Sequence, residues 1–150
     1  MEYRVLVIAP GSTSTKVYVC KDGEKIIEET ITYSSTCTSK YSKIYDQFQF
    51  RKEDVLRVLR EKNFDLNTLD AIVGRGGLLD LAKDEIYRVN ELMINNLKSG
   101  IQGEHASNLG AIIAYSIANP LKIPAFTVNS VTIDELQDIA RISGMPEIIR

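Results

Sequence analysis

Few residue types in this 150-residue chain are scarce or abundant enough to declare a chemistry, and the scarcities exclude several. Tryptophan is absent, and there are one histidine and two cysteines. Cys20, Cys37 and His105 stand far apart, with none of the close spacings that hold zinc or an iron–sulfur cluster. Cys20 alternates with apolar residues, so a buried free thiol is expected, and with it a reduced, cytoplasmic setting. No apolar run approaches the roughly 18 residues that a membrane-spanning helix needs. Residues 1–5 show neither the basic start nor the apolar stretch of a secretory leader. Basic residues number 18 against 20 acidic ones, a formal net charge of -2. That balance gives no reason to expect nucleic acid or an anionic membrane as a partner.

What is present suits a single globular domain. Hydrophobic residues make up 44% and charged residues 25%, enough to build a core without covalent staples. The chain opens with Val5-Leu6-Val7-Ile8, a β-branched run that reads as a buried strand and ends at Pro10-Gly11. Lys16–Cys20 alternates as a second strand, Asp22-Gly23 is a hairpin signal, and Glu24–Tyr33 continues as a third. Ser34–Ser42 reads as a loop. Arg51–Lys62 carries Val55, Leu56, Val58 and Leu59 on one face with charges opposite, the pattern of an amphipathic helix. A strand is expected at Leu69–Val73, helices at Asn90–Leu97 and Ser107–Ala118, the latter stopped by Asn119-Pro120, a strand at Ala125–Val128 and a helix at Thr132–Ile142. Strands first, then helices alternating with strands, imply an α/β fold with a mixed β-sheet and flanking helices.

One segment stands out chemically. Pro10-Gly11-Ser12-Thr13-Ser14-Thr15-Lys16 follows the first strand. Small residues let successive N–H groups converge, the hydroxyls add donors, and Lys16 adds positive charge, a combination suited to phosphate. Gly11, Ser12, Thr13, Ser14, Thr15 and Lys16 are therefore the candidate phosphate-binding residues. The G-x-x-x-x-G-K spacing of a Walker loop is missing, and a strand follows. An anion would thus meet a hairpin turn without a helix dipole behind it. A polar turn with no ligand is the alternative, since Ser and Thr favour turns for local reasons.

This strand–turn–strand resembles the first phosphate loop of the butyrate kinases, which group with the acetate kinases in the actin-like sugar-kinase superfamily. Three further blocks are similar to that family: Val73-Gly74-Arg75-Gly76-Gly77-Leu78-Leu79, Gln102-Gly103-Glu104-His105-Ala106-Ser107-Asn108-Leu109-Gly110, and Ile139-Ala140-Arg141-Ile142-Ser143-Gly144-Met145-Pro146. The resemblance implies one lobe of the actin-like, ribonuclease H-like kinase fold. It implies phosphoryl transfer between ATP and a short-chain carboxylate, with ATP/ADP and magnesium as cofactors. In that scheme Ser12, Ser14 and Lys16 face the moving phosphate, and Arg75 holds the carboxylate or the phosphoryl group. His105 donates to a phosphoryl oxygen, and Asn108 assists at the substrate. Each has a plainer alternative: Arg75 in a surface turn, His105 as a structural residue, Asn108 as a capping residue behind the expected N-cap Ser107.

Two positions depart from the family pattern. Ala9 stands where the family usually has Asn, and Asn129 where it usually has Asp, and neither supplies the usual polar or anionic group. Asn129 is kept as a candidate catalytic position on alignment. The resemblance also implies that residues 1–150 form an N-terminal lobe, that a C-terminal nucleotide lobe would complete the site, and that the full-length protein pairs into homo-oligomers. Little turnover is expected from this chain alone. The competing expectation is a non-catalytic relative acting as a binding or assembly module.

Overall fold

A computed structural model describes residues 1–79 and 86–128. The chain starts as an antiparallel meander of β1 (Arg4–Pro10), β2 (Ser14–Lys21) and β3 (Glu24–Thr32). Asp22 and Gly23 join β2 to β3 with φ of 48° and 87°, the paired left-handed conformation of a tight hairpin. A short helix, α1 (Ser35–Thr38), follows, with the Ser34 hydroxyl capping the Cys37 N–H at 3.2 Å. The sequence suggested only loop there. Next come a 3-10 turn (Ile44–Gln47), α2 (Phe48–Glu61) and a second 3-10 turn (Leu66–Thr68). Strand β4 (Ala71–Arg75), strand β5 (Ile86–Arg88), helix α3 (Glu91–Ser99), helix α4 (Asn108–Leu121) and strand β6 (Ala125–Val128) complete the described elements. Strand β5 was not anticipated, because three residues are too few to show an alternating pattern.

The sheet runs β3-β2-β1-β4-β6-β5. β1 pairs parallel with β4, and β4 parallel with β6, whereas β5 closes that edge antiparallel. It is the mixed sheet with flanking helices that the element order implied. β1 is not buried on both faces, as its apolar run suggested. Leu6 and Ile8 are fully enclosed, while Val5 and Val7, on the opposite face of the pleat, are half-buried. The enclosed face joins Leu6, Ile8, Val17, Val19 and Ile72 to Val55 and Leu59 of α2 and to Leu109, Ile112 and Ile113 of α4 in one core. Both cysteines are free and half-buried, so Cys20 is less enclosed than its alternation implied.

Helix α4 continues through Pro120 instead of stopping before it. Proline there lacks only one N–H near the helix end. Termination comes at Lys122, which turns left-handed (φ 57°) while the Ile123 N–H reaches back to the Ala118 carbonyl at 3.3 Å, a Schellman-type closure. The expected helix at Thr132–Ile142, the block at Ile139–Pro146 and Asn129 lie outside the described residues.

Candidate functional site

The β1–β2 connection is a four-residue turn in which the Gly11 N–H donates to the Ser14 carbonyl at 2.7 Å. Its tip is tied to the end of β3, where the Tyr33 N–H donates to the Thr13 carbonyl at 2.8 Å. Beneath the turn lies Arg51 of α2, fully buried. Its Nη1 donates to the Gly11 carbonyl at 2.8 Å, to the Thr15 hydroxyl at 3.2 Å and more weakly to the Ser14 carbonyl at 3.4 Å. Nε and Nη2 both donate to Oε1 of Gln47, at 3.1 and 2.8 Å. The Tyr33 ring covers the guanidinium at 4.6 Å, and its hydroxyl donates to Thr15 at 3.0 Å. Burial pulls the Arg51 pKa below its ordinary value, although a guanidinium remains charged.

The charge pattern of α2 is therefore not the one its sequence suggested. Arg51, Val55, Val58 and Leu59 are the buried residues, an i, i+4, i+7, i+8 stripe. A cation occupies the first core position of an otherwise apolar face. That break in the stripe was the available signal for Arg51.

A second arm reaches the turn from β4. Gly74 crosses against α4 at Gly110: a Cβ on Gly74 would lie 2.2 Å from the Gly110 carbonyl carbon. After Arg75 the chain turns back through Gly76, whose φ of +88° suits glycine. The Gly76 N–H donates to the Val128 carbonyl at 2.9 Å, and the Thr127 hydroxyl donates to the Gly76 carbonyl at 3.0 Å. These contacts place exposed Arg75 beside the turn. A cleft of about 310 Å³ results, lined by Gly11, Ser14, Lys16, Arg75 and Ser107 together with Ala9. Two cations, a hydroxyl-bearing turn and the start of α4 meet there, and none of the lining residues is acidic. Contrary to the expectation of a turn without a helix dipole, the positive end of α4 borders the cleft through Ser107.

The remaining candidates separate. Ser12 and His105 line a neighbouring depression of about 460 Å³ on the other side of the turn, together with Arg51, Gln47 and Tyr41. His105 is linked to the cleft through Ser107: its Nδ1 lies 2.7 Å from the Ser107 hydroxyl and accepts the Ser107 N–H at 3.1 Å. A ring nitrogen that accepts a backbone N–H carries no proton, which leaves Nε2 as the ring's donor. Ser107 sits at the N-cap position, but its hydroxyl engages His105 instead of capping the helix.

Thr13 is exposed at the tip. Thr15 is fully buried, its hydroxyl engaged by Tyr33 and Arg51. Thr15 does not face a phosphate as its place in the hydroxyl run implied, because strand alternation turns it inward while Ser14 and Lys16 face out. Asn108 is also buried: its amide accepts the Leu78 N–H at 2.9 Å and donates to the Gly103 carbonyl at 2.9 Å. It fastens the 76–79 segment to the loop before α4, a supporting position instead of a wall of the cleft. Among the described residues no cluster of three or more His, Cys, Asp or Glu forms a metal site, and no helix is long and apolar enough to cross a membrane. The cleft's donors thus suit a phosphate group, and its lining offers no carboxylate to magnesium.

A third cavity, about 270 Å³ between α3, α4 and the Ile44–Gln47 turn, has one cation, Lys98, and one carboxylate, Glu91, in its lining. Its lysine, Lys98, lies over the Tyr45 ring at 5.1 Å.

No protein-family model matches the chain. Among curated proteins it is 53% identical over 150 residues to a probable butyrate kinase of Clostridium botulinum (strain Eklund 17B / Type B), covering 100% of this chain and 42% of that protein. Butyrate kinase 2 of Clostridium acetobutylicum is 51% identical over the same span and coverage. The chain therefore spans about two fifths of the length of the curated relatives it matches. In fold it is similar to an acetate kinase of Porphyromonas gingivalis, with a TM-score of 0.55 at 14% identity, covering 96% of this chain and 41% of that one. An acetate kinase of Entamoeba histolytica gives a TM-score of 0.51 at 12% identity, covering 96% and 39%.

Proposed function

The chain belongs to the butyrate kinase family along the stretch it spans, and from that premise we propose that the cleft at Gly11–Lys16 holds the phosphoryl group exchanged between ATP and a short-chain carboxylate. The observation that carries the reading is the meeting of Lys16 and Arg75 at one hydroxyl-bearing turn bordered by the start of α4. In the transfer, a carboxylate oxygen bonds to the γ-phosphorus as the bond to the bridging oxygen breaks, yielding an acyl phosphate and ADP; the reverse makes ATP. Such a reaction needs positioning and charge stabilisation more than covalent chemistry from the protein. Lys16 and Arg75 would neutralise the equatorial oxygens, Arg75 through its planar fork. Ser14 would add a hydroxyl donor, and His105 would donate from Nε2 on the adjoining side. Magnesium, when bound, would offset phosphate charge.

Turnover, in this reading, belongs to a protein of the relatives' full length, with a second lobe and homo-oligomeric pairing. The 150-residue chain alone is expected to bind phosphate and turn over little. Inorganic phosphate titrated into the chain, followed by amide shifts at residues 11–16, tests the site. Lys16→Met and Arg75→Met should each weaken binding about tenfold or more, since charge-assisted hydrogen bonds contribute roughly 1.5–3 kcal/mol. Equal affinities in wild type and both variants would remove the basis for the reading.

Ala9 favours a second function, a weak or non-catalytic relative acting as a binding module. It lines the cleft with only a methyl group where the family usually has Asn. In a full-length protein, Ala9→Asn with Asn129→Asp should raise hydroxamate-detected acyl phosphate formation strongly if these positions limit turnover. An unchanged rate would dismiss them as the cause.

A further inference from the structure

We infer that Arg51 is a positioning residue for the phosphate turn, holding the turn's carbonyls inward so that its donors face the cleft. This rests on the phosphate reading of Gly11–Lys16 and adds a residue that touches no ligand in that cleft. The Gly11 and Ser14 carbonyls both point at Nη1, at 2.8 and 3.4 Å. A peptide carbonyl turned toward an anion repels it; one turned toward a buried cation cannot do so. The same nitrogen binds the Thr15 hydroxyl, which pins the alternation that sends Ser14 and Lys16 outward. Gln47 and the Tyr33 ring fix the guanidinium plane from the other sides.

The choice of residue is informative. None of these partners is acidic, so Arg51 brings a buried positive charge without a carboxylate among its described partners. A hairpin that merely had to stay closed has its own Gly11–Ser14 and Tyr33–Thr13 backbone bonds and needs no cation. Glu104 borders the same depression as Arg51 without bonding it, and an anion in the cleft would add opposite charge across the turn. Lysine would keep the charge but not the fork that reaches Gly11, Thr15 and Gln47 together.

The experiment uses the ¹⁵N-labelled 150-residue chain with inorganic phosphate as the probe. Two quantities are read: hydrogen exchange of the Gly11 amide without phosphate, and phosphate affinity from the turn amides. Arg51→Lys should speed Gly11 exchange at least tenfold and weaken phosphate at least fivefold while the amide spectrum away from the turn stays native. Arg60→Met, which removes one exposed cation from the same helix, should alter affinity less than twofold. In the wild type, the Arg51 Nε–H resonance should shift with the same midpoint as the turn amides, an observation that needs no variant to fold. If Arg51→Lys leaves both quantities at wild-type values, or if Nε–H does not respond while the turn does, the inference fails and the phosphate reading stands. If the wild-type turn shows no response to phosphate, both fall together.

Discussion

Replacing Gly74 with alanine tests whether the site depends on a backbone crossing. The added Cβ would lie 2.2 Å from the Gly110 carbonyl carbon, 2.3 Å from its oxygen and 2.4 Å from the Ala111 nitrogen. All three are backbone atoms, so no side-chain rotation relieves the clash. To restore an ordinary contact near 3.4 Å, α4 must withdraw from β4 by about 1.2 Å. The helix buries Leu109, Ile112, Ile113 and Ile117, and that packing loosens with it. Overpacking commonly costs about 1–3 kcal/mol, with backbone on both sides placing this case at the top of the range. The smaller entropy of the unfolded alanine chain offsets only about 0.4–1 kcal/mol. A net loss of about 2–3 kcal/mol lowers the melting temperature of a 150-residue domain by roughly 4–12 °C. Ser107, at the start of α4, would be carried away from the cleft, so phosphate binding should weaken too. Gly11→Ala is the internal control. Its Cβ would meet Ser14 atoms at an ordinary 3.5 and 3.9 Å, so stability should hold or rise by up to about 1 kcal/mol through the same entropy effect. Thermal unfolding followed by circular dichroism decides. A Gly74→Ala protein melting within about 2 °C of wild type, or a Gly11→Ala protein falling as far as Gly74→Ala, would refute the steric argument.

Asn108→Ala leaves the Leu78 N–H and Gly103 carbonyl without their partner, and should cost about 2 kcal/mol; a denaturant midpoint unchanged from wild type would contradict that role. Burial raises the Tyr33 phenol above its ordinary value of 10.0, against the opposing pull of the Thr15 hydrogen bond and the Arg51 charge. Its contribution to stability is therefore complete below pH 10 and is lost as pH rises through the higher folded-state value. Tyrosinate absorbance should show a late-ionising step that Tyr33→Phe removes, and persistence of that step in the variant would assign it to another of the seven tyrosines.

Local patterns reveal elements whose burial repeats at short range. The β1–β2–β3 meander and α4 follow from alternation, from Asp22-Gly23 and from the apolar stripe at Leu109, Ile112, Ile113 and Ile117. Strand β5 is too short to show a pattern, and Pro120 does not stop α4 because near a helix end it removes only one N–H. The turn at Gly11–Lys16 is legible from composition, but the inward place of Thr15 is not, because a run of hydroxyls hides which members the strand pleat turns inward.

The amino-acid sequence alone carried the likeness to the butyrate kinases, the candidate turn, and the presence of Arg75 and His105 in blocks that accompany it. Tertiary structure alone decided which of these meet. The Gly74–Gly110 crossing brings Arg75 and Ser107 to a turn some sixty to a hundred residues earlier in the chain, and places His105 one hydrogen bond away. It also set Arg51 beneath the turn. The reason is physical: hydrophobic period and turn chemistry act between neighbours in the chain, whereas a shared cleft depends on how closely two distant backbones can approach.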